Sequence, residues 1–399
     1  GRGMNTGVNN TLVGFEAGHD ISSGVRNTIM GSLAGDALTD ADDNVAVGML
    51  ALSTCVLGSG NTAVGKDALE DCNPDDAVTM HNTAVGLSAG ANLTTAIQNT
   101  LIGALAGAGS SITGNRNTFV GYNTGLANSS GSNNVFIGTN TGKANAGGSS
   151  NTAVGDACYI TEDAGSQNTV FGAEALKVND GGGNENTVLG FKAAFNATSV
   201  GGNTLIGSNC AVSARTGTFA TIIGRSVDTS GTGVNQEIAI GSNFAAGGIN
   251  TARLGTNNGT ATLGLDGSDT SWAAASDLRL KKDVANSTVG LEFINDLRCV
   301  TFKWNAKDDI ADTLPQYDAT SSDPVYGQGK AHHGFIAQEI KTVIDAHSDV
   351  VDGHNLWSED PDGTQQVSPS ALVPMLTKAV QELSTALDAA LARITTLEG

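Results

Sequence analysis

A five-residue unit, Asn-Thr-apolar-apolar-Gly, recurs along the first 241 residues, and this periodicity constrains the fold more than any other sequence feature. Its closing glycines are Gly14, Gly31, Gly48, Gly65, Gly86, Gly103, Gly121, Gly138, Gly155, Gly172, Gly190, Gly207, Gly224 and Gly241. Successive glycines lie 17 or 18 residues apart, except where a longer loop around residues 70–80 separates Gly65 from Gly86. A short unit at constant spacing predicts a solenoid in which each repeat stacks on the next.

The unit is apolar on both faces of the strand that it predicts. In the repeat that ends at Gly121, Thr118 and Val120 share one face and Phe119 lies on the other, because side chains alternate along a strand. A strand that is apolar on both faces is buried on both. One thin solenoid buries only its inner face, so we expect three copies packed around an axis to bury the outer one.

Composition and cysteine usage agree with a fibrous β architecture. Gly contributes 53 residues and aromatics only 5%, which indicates short strands and tight turns and predicts no large aromatic-lined pocket. Stacked Asn and Thr side chains are expected to form ladders along the coils. The cysteines fall in small or apolar positions without metal-ligand spacing, so we interpret all five as core residues and predict no metal or cofactor. They are Cys55, Cys72, Cys158, Cys210 and Cys299.

The charge balance argues against two classes of partner. The formal net charge is −20, which disfavours binding to nucleic acid or to an anionic membrane surface. No run of about 18 apolar residues and no secretory signal pattern is present, so membrane insertion is not expected.

After Gly264 the repeat stops, and four ordered segments of a different kind follow. They are SDLRLKKDV from Ser276, GLEFINDLRCVTFKW from Gly290, HHGFIAQEI from His332 and SALVPMLTKAVQELSTAL from Ser370. These segments resemble the endosialidase-type intramolecular chaperone domain at the C-terminus of phage tail fibres and tailspikes. The repeats are also similar to the head repeats of trimeric autotransporter adhesins, although the unit here is about three residues longer.

The chaperone resemblance implies trimer assembly followed by self-cleavage. It places the cut between Ala275 and Ser276, with Ser276 as the nucleophile and Lys281 as the base that accepts its proton. Asp277 and Arg279 could orient this segment by an ion pair or could be solvated.

A second block of supporting residues lies in the HHGFIAQEI segment. His332, Gln338 and Glu339 are interpreted as a strand-to-helix motif in preference to direct catalytic groups.

A heptad pattern near the C-terminus independently predicts self-association. Its apolar positions are Val373, Leu376, Val380, Leu383, Leu387, Ala390, Ile394 and Leu397. The predicted fold is mainly β, with a trimeric parallel β-solenoid shaft at 1–245 and neck strands at 246–275. A small α+β chaperone domain at 276–399 follows, with a coiled coil at 371–398.

The resulting hypothesis is a homotrimeric phage tail fibre that recognises a host cell-surface glycan or protein receptor. It would contact other tail or baseplate proteins, be made in the host bacterial cytoplasm and reside in the virion. One alternative is a tailspike depolymerase, which needs two carboxylates beside a sugar site. Two acidic clusters have no Trp or Tyr nearby and are interpreted as solvated loop residues. They are Asp40, Asp42 and Asp43, and Asp71, Asp75 and Asp76. The other alternative is a bacterial trimeric adhesin.

Overall fold

The computed structural model divides into two compact units, Gly1–Ser276 and Asp277–Gly399. It describes residues 6–74, 76–109, 111–161, 164–178, 181–213, 216–265, 273–274, 276–314, 316–326, 329–350, 355–360 and 363–398. The predicted neck at 246–275 therefore lies partly outside the described residues.

The first unit is a parallel β-solenoid, as the repeat predicts. Its first strands are β1 (Thr11–Val13), β2 (Thr28–Met30), β3 (Val45–Val47), β4 (Gly58–Ser59), β5 (Thr62–Val64), β6 (Val78–Thr79), β7 (Thr83–Val85), β8 (Thr100–Ile102), β9 (Thr118–Val120), β10 (Val135–Ile137), β11 (Thr152–Val154), β12 (Thr169–Phe171) and β13 (Thr187–Leu189). The unit continues with β14 (Ser199–Gly201), β15 (Thr204–Ile206), β16 (Thr216–Thr218), β17 (Thr221–Ile223), β18 (Val227–Asp228), β19 (Ile238–Gly241), β20 (Phe244–Ala245), β21 (Thr251–Thr256), β22 (Gly259–Gly264) and β23 (Ala273–Ala274).

Each repeat contributes one short strand, in most coils Thr-apolar-apolar, to one long parallel sheet. Equivalent residues pair directly, so that Phe119 lies beside Phe136. Three short parallel pairs, β4–β6, β14–β16 and β18–β20, lie outside this sheet. At the end of the solenoid, β21 pairs in parallel with β19, and β22 and β23 continue the sheet in antiparallel fashion.

The coil interior is filled by residues whose sizes compensate one another. Phe136 is fully buried, and a Cβ placed on Gly142 would lie 2.4 Å from its ring. In the next coil the strand residue is the small Ala153, and the position equivalent to Gly142 is the buried Tyr159. Because interiors are close-packed, a large residue at either position requires a small one at the other.

The closing glycines are required where successive coils approach most closely. At Gly138 the backbone has φ of +130°, and an added Cβ would lie 2.4 Å from the carbonyl oxygen of Gly155. Only glycine tolerates both the dihedral and the contact. The invariance of this position in the repeat thus follows from the stacking distance.

The repeat asparagines form the predicted ladder inside the solenoid. Asn134 is fully buried, its backbone N–H donates to Asn117 Oδ1 at 2.9 Å, and its Nδ2 donates to the Gly148 carbonyl at 2.8 Å. The same pattern recurs in neighbouring coils, for example at Asn151. The side-chain amide of Asn134 therefore pairs with two backbone groups of the following coil, the Gly148 carbonyl and the Asn151 N–H.

In two of the last coils, the ladder position is occupied by residues other than asparagine. Ala220 replaces asparagine in one coil, and the fully buried Glu237 replaces it in the next. The Glu237 carboxyl accepts hydrogen bonds from Ser230 Oγ at 2.8 Å and from the Ser230 backbone N–H at 3.3 Å. Burial raises the pKa of Glu237, the Asp228 charge raises it further, and the Ser230 hydrogen bonds partly oppose the shift.

We expect Glu237→Gln to increase thermal stability at neutral pH. A carboxyl whose folded pKa is raised binds a proton more tightly when folded, so its ionised form destabilises the solenoid above that pKa. The gain in melting temperature should be a few degrees, since about 1 kcal/mol corresponds to roughly 2–4 °C in domains of this size. The gain should shrink as pH falls through the folded pKa of Glu237, measured by melting curves between neutral and acidic pH.

Glu185→Gln is the matched control, because Glu185 is an exposed shaft glutamate. Two outcomes would contradict the assignment of a destabilising buried charge. Glu237→Gln could melt below the wild type at neutral pH, or its gain in melting temperature could equal that of the control.

The second unit is a small α+β fold. Its elements are α1 (Leu291–Asp296), β24 (Val300–Phe302), β25 (His332–Gly334), α2 (Ala337–Ala346), β26 (Trp357–Glu359), β27 (Gln365–Val367) and α3 (Leu372–Glu398), with 3-10 turns at Leu278–Leu280, Lys307–Asp309 and Pro369–Ala371. Strands β24–β25 and β26–β27 form two antiparallel pairs. The core gathers apolar residues from the helices and from the segments between them, and its buried members are Val289, Phe293, Ile340, Ile344, Val350, Leu356 and Leu372.

The burial of four cysteines is confirmed, and that of the fifth is not. Cys55, Cys72, Cys158 and Cys210 are buried in the solenoid. Cys299 is exposed beside β24, which corrects its interpretation as a core residue. The described part of the chain contains no helix with the length and apolarity that a membrane span needs.

Candidate functional site

The outer face of the solenoid sheet carries a continuous apolar stripe. The residues that precede the closing glycines project from it, and eight of them expose between 37% and 50% of their surface. They are Val13, Met30, Val85, Ile102, Ile137, Phe171, Leu189 and Ile240. Several residues directly after the glycines extend the stripe, namely Phe15, Met49, Leu87, Tyr122 and Phe191. A patch that runs the length of a shaft greatly exceeds the apolar patches of ordinary soluble monomers and marks an association surface.

Helix α3 presents two different apolar faces. One face carries the buried Leu372 and Ala379, and on the same side Glu382 accepts a hydrogen bond from the Leu291 backbone N–H of α1 at 2.8 Å. The other face carries the heptad residues. All of these are exposed in the single chain, and the large ones expose between 45% and 80% of their surface. The helix is therefore held on one side by its own unit, while its heptad face remains available to other helices.

The sequence-predicted processing residues lie at the border of the two units. Ser276 is exposed and is the last residue of the first unit, whereas Lys281 is exposed and belongs to the second. Ala275 lies outside the described residues. The nucleophile and base assignments stay predictions that rest on the resemblance.

Between these two residues, Asp277 and Arg279 form a local ion pair. Arg279 donates from Nη2 to Asp277 Oδ2 at 2.6 Å and from its backbone N–H to Oδ1 at 2.8 Å. The side-chain and then the backbone hydrogen bonds from Arg279 lower the pKa of Asp277. Asp277 also caps the 3-10 turn at Leu278–Leu280, so this carboxylate fixes the backbone between the two predicted dyad positions.

The residues of the HHGFIAQEI segment occupy a strand and the helix after it. His332 begins β25, its ring lies 5.7 Å from that of Phe302, and its buried Nε2 has no hydrogen-bond partner among the described residues. Gln338 is exposed in the first turn of α2. Glu339 accepts hydrogen bonds from Arg298 Nε and Nη2 at 2.9 and 2.5 Å, and the Arg298 guanidinium lowers its pKa. Glu339 thus anchors α2 to the segment before β24.

Sequence reasoning missed an aromatic-lined cavity of about 650 Å³ in the second unit. Phe302 and Trp304 meet edge to face at 5.3 Å, and Trp304 meets Tyr326 in the same way at 4.8 Å. Gln338 and Gln365 also line this cavity. The expectation of no large aromatic-lined pocket is therefore wrong for this unit, because the fold brings aromatic residues of separate segments together.

The acidic loop cluster of the first coils is engaged in pairing between coils. Asp43 accepts from Arg26 Nε and Nη2 at 2.6 and 2.8 Å, and Asp42 accepts from the Val25 backbone N–H at 2.8 Å. Asp40 accepts from the hydroxyls of Ser22 and Ser23. These contacts give the carboxylates a structural role in stacking neighbouring coils.

Comparison with known proteins identifies one family segment. Residues 276–349 match the family model described as chaperone of endosialidase. No curated protein and no solved structure matches the chain. The chain therefore carries, from Ser276 to Asp349, a segment similar to the chaperone of endosialidase, and this segment follows a β-solenoid shaft in the sequence.

Proposed function

We propose that the chain is the subunit of a homotrimeric bacteriophage tail fibre or tailspike, with the solenoid as its shaft. The observation that carries this proposal is the presence of two unpaired apolar surfaces in one chain, the outer sheet face and the heptad face of α3. Three parallel copies would bury both surfaces along one axis. The chaperone-like segment, whose family match suggests a self-assembling trimer, lies between the two surfaces in sequence.

The heptad pattern of α3 supports self-association more strongly than it supports a particular number of helices. Valine, leucine and isoleucine occupy one set of core positions, and leucine occupies most of the other. This mixed pattern permits more than one coiled-coil stoichiometry. The choice of three rests on the similarity to the chaperone family.

In the proposed role, the shaft presents its loops to a host cell-surface glycan or protein receptor and attaches to other tail or baseplate proteins. The C-terminal unit registers the three chains and is then released by cleavage before Ser276. The virion is the proposed location of the mature fibre. A polysaccharide-degrading role is less well supported, because the acidic cluster around Asp42 is engaged in contacts between coils.

Mass photometry of the purified full chain tests the assembly. The expected particle mass is three times 40.2 kDa, or three times the mass of the shaft fragment after cleavage. A stable monomer at micromolar concentration would show that the apolar surfaces are not covered by copies of the chain.

Receptor recognition is tested separately with fluorescent trimer on a panel of bacterial strains. The expected result is binding to some strains without shortening of their surface polysaccharide. Shortened glycans would instead favour the depolymerase.

A further inference from the structure

Three sulfur atoms converge inside the solenoid, two from the coil that contains the longer loop and one from the coil before it. Cys55 and Cys72 occupy equivalent positions of adjacent coils, and Met80 enters from the longer loop. All three side chains are fully buried. We call Cys55, Cys72 and Met80 the sulfur cluster.

The contacts place these atoms around one small space. Cys72 Sγ lies 3.3 Å from Met80 Sδ. A Cβ added to Gly58 would lie 2.7 Å from Met80 Sδ and 2.8 Å from Cys55 Sγ, so both atoms border the gap that this glycine leaves. Cys55 Sγ also contacts the Gly58 carbonyl oxygen at 3.8 Å. A thioether and two thiols therefore meet within one pocket of the core.

Packing alone does not require two cysteines and a methionine at this place in the core. The same column holds the aliphatic residues Ile21, Leu38 and Leu93 in other coils, all of them fully buried. An aliphatic residue therefore fits this column. Two consecutive coils nevertheless carry cysteine there, at the place where a methionine of the longer loop packs against them. Cys158 lies in a different column of the repeat, three residues after its closing glycine, and its Sγ contacts the Val170 carbonyl oxygen at 3.8 Å.

We propose that the sulfur cluster is a binding site for a monovalent thiophilic cation of the copper(I) class. Soft thiolate and thioether ligands select such ions over zinc, calcium or magnesium. Two thiolates and one thioether give three donors. With metal–sulfur bonds of about 2.3 Å, as in zinc thiolates, donors in a trigonal arrangement would lie about 4 Å apart. Cys72 and Met80 need to separate by less than about 1 Å to reach that arrangement.

Binding exchanges protons for the cation without any change of oxidation state. The two thiols lose one proton each, two protons pass to solvent, and one copper(I) joins both sulfur atoms while Met80 adds a neutral donor. The bound ion would fasten adjacent coils at the place where the longer loop interrupts the regular repeat. Because every ligand is buried, loading is expected before or during the stacking of these coils.

The test is copper content after loading during folding. The full chain is expressed in copper-supplemented medium, purified without oxygen and challenged with a copper(I) chelator, and copper is measured by mass spectrometry. Wild-type protein should retain about one copper(I) per chain, and the loaded protein should melt at a higher temperature than the copper-free protein. Cys55→Ala and Cys72→Ala should each abolish retention.

Two further variants keep the outcome decisive. Met80→Leu preserves volume and the fold, and it should release copper at a chelator concentration at least about tenfold lower than the wild type does. Cys158→Ala, a buried cysteine outside the cluster, should retain copper like the wild type. Three results would each overturn the three-sulfur site. The wild type could retain no more copper than Cys55→Ala, Cys158→Ala could lose copper to the same extent as Cys55→Ala, or Met80→Leu could retain copper like the wild type.

Discussion

Val120→Asp in the middle of the shaft should prevent formation of the trimer. Val120 lies on the outer sheet face between Ile102 and Ile137, its direct partners in the neighbouring strands. In the proposed trimer, three introduced carboxylates would be gathered near one axis and removed from water. Each unpaired buried carboxylate costs several kcal/mol even after relaxation, so three of them near one axis strongly oppose assembly. Mass photometry should show monomer or aggregate in place of the trimer.

The pH dependence of Val120→Asp assembly provides an internal check. Like charges at close range raise one another's pKa, so acidification should neutralise the three carboxyls and restore part of the trimer. Asn133→Asp is the matched control, because Asn133 is exposed in the coil that contains Ile137 but lies outside the sheet. A Val120→Asp trimer as stable as the Asn133→Asp trimer would show that the outer face remains in water, and the packing hypothesis would be wrong.

The solenoid could be predicted because its packing is periodic and local. Each coil contacts the next at a constant offset, so one repeat such as that ending at Gly121 reveals the register of all the others. The buried asparagine ladder followed from the same repetition. The pairing of Phe136 with Gly142 was not predicted, because it requires two columns of the repeat to be compared by residue size.

The second unit was harder to predict because it has no repetition. Its aromatic cavity is built from Trp304, Tyr326 and Gln365, which are distant in sequence, so no local pattern brings them together. The apolar neighbours of Cys299 suggested burial, yet β24 pairs only with β25 among the described residues and leaves the preceding residue exposed. Resemblance supplied the candidate processing residues, whose chemistry no periodicity could reveal.

Ser276→Ala should abolish cleavage of the chain while leaving assembly intact. The predicted cut between Ala275 and Ser276 needs the Ser276 hydroxyl as nucleophile, and alanine removes that oxygen without adding bulk. Lys281→Ala should have the same effect, because the amine is the predicted proton acceptor. The wild type should separate into two fragments on a denaturing gel, with the second beginning at Ser276 by intact mass, and both variants should remain full length.

Lys282→Ala is the matched control for the loss of one positive charge, since Lys282 is exposed and directly follows the predicted base. It should be cleaved like the wild type. Ser276→Ala and Lys281→Ala should still give trimers, which separates a defect in chemistry from a defect in folding. Cleavage should also make unfolding of the shaft slower to reverse, because the released folding template can no longer assist refolding. If a correctly trimeric wild-type protein stays full length after prolonged incubation, the chaperone-like segment assists assembly without cutting the chain, and the serine–lysine dyad is not functional.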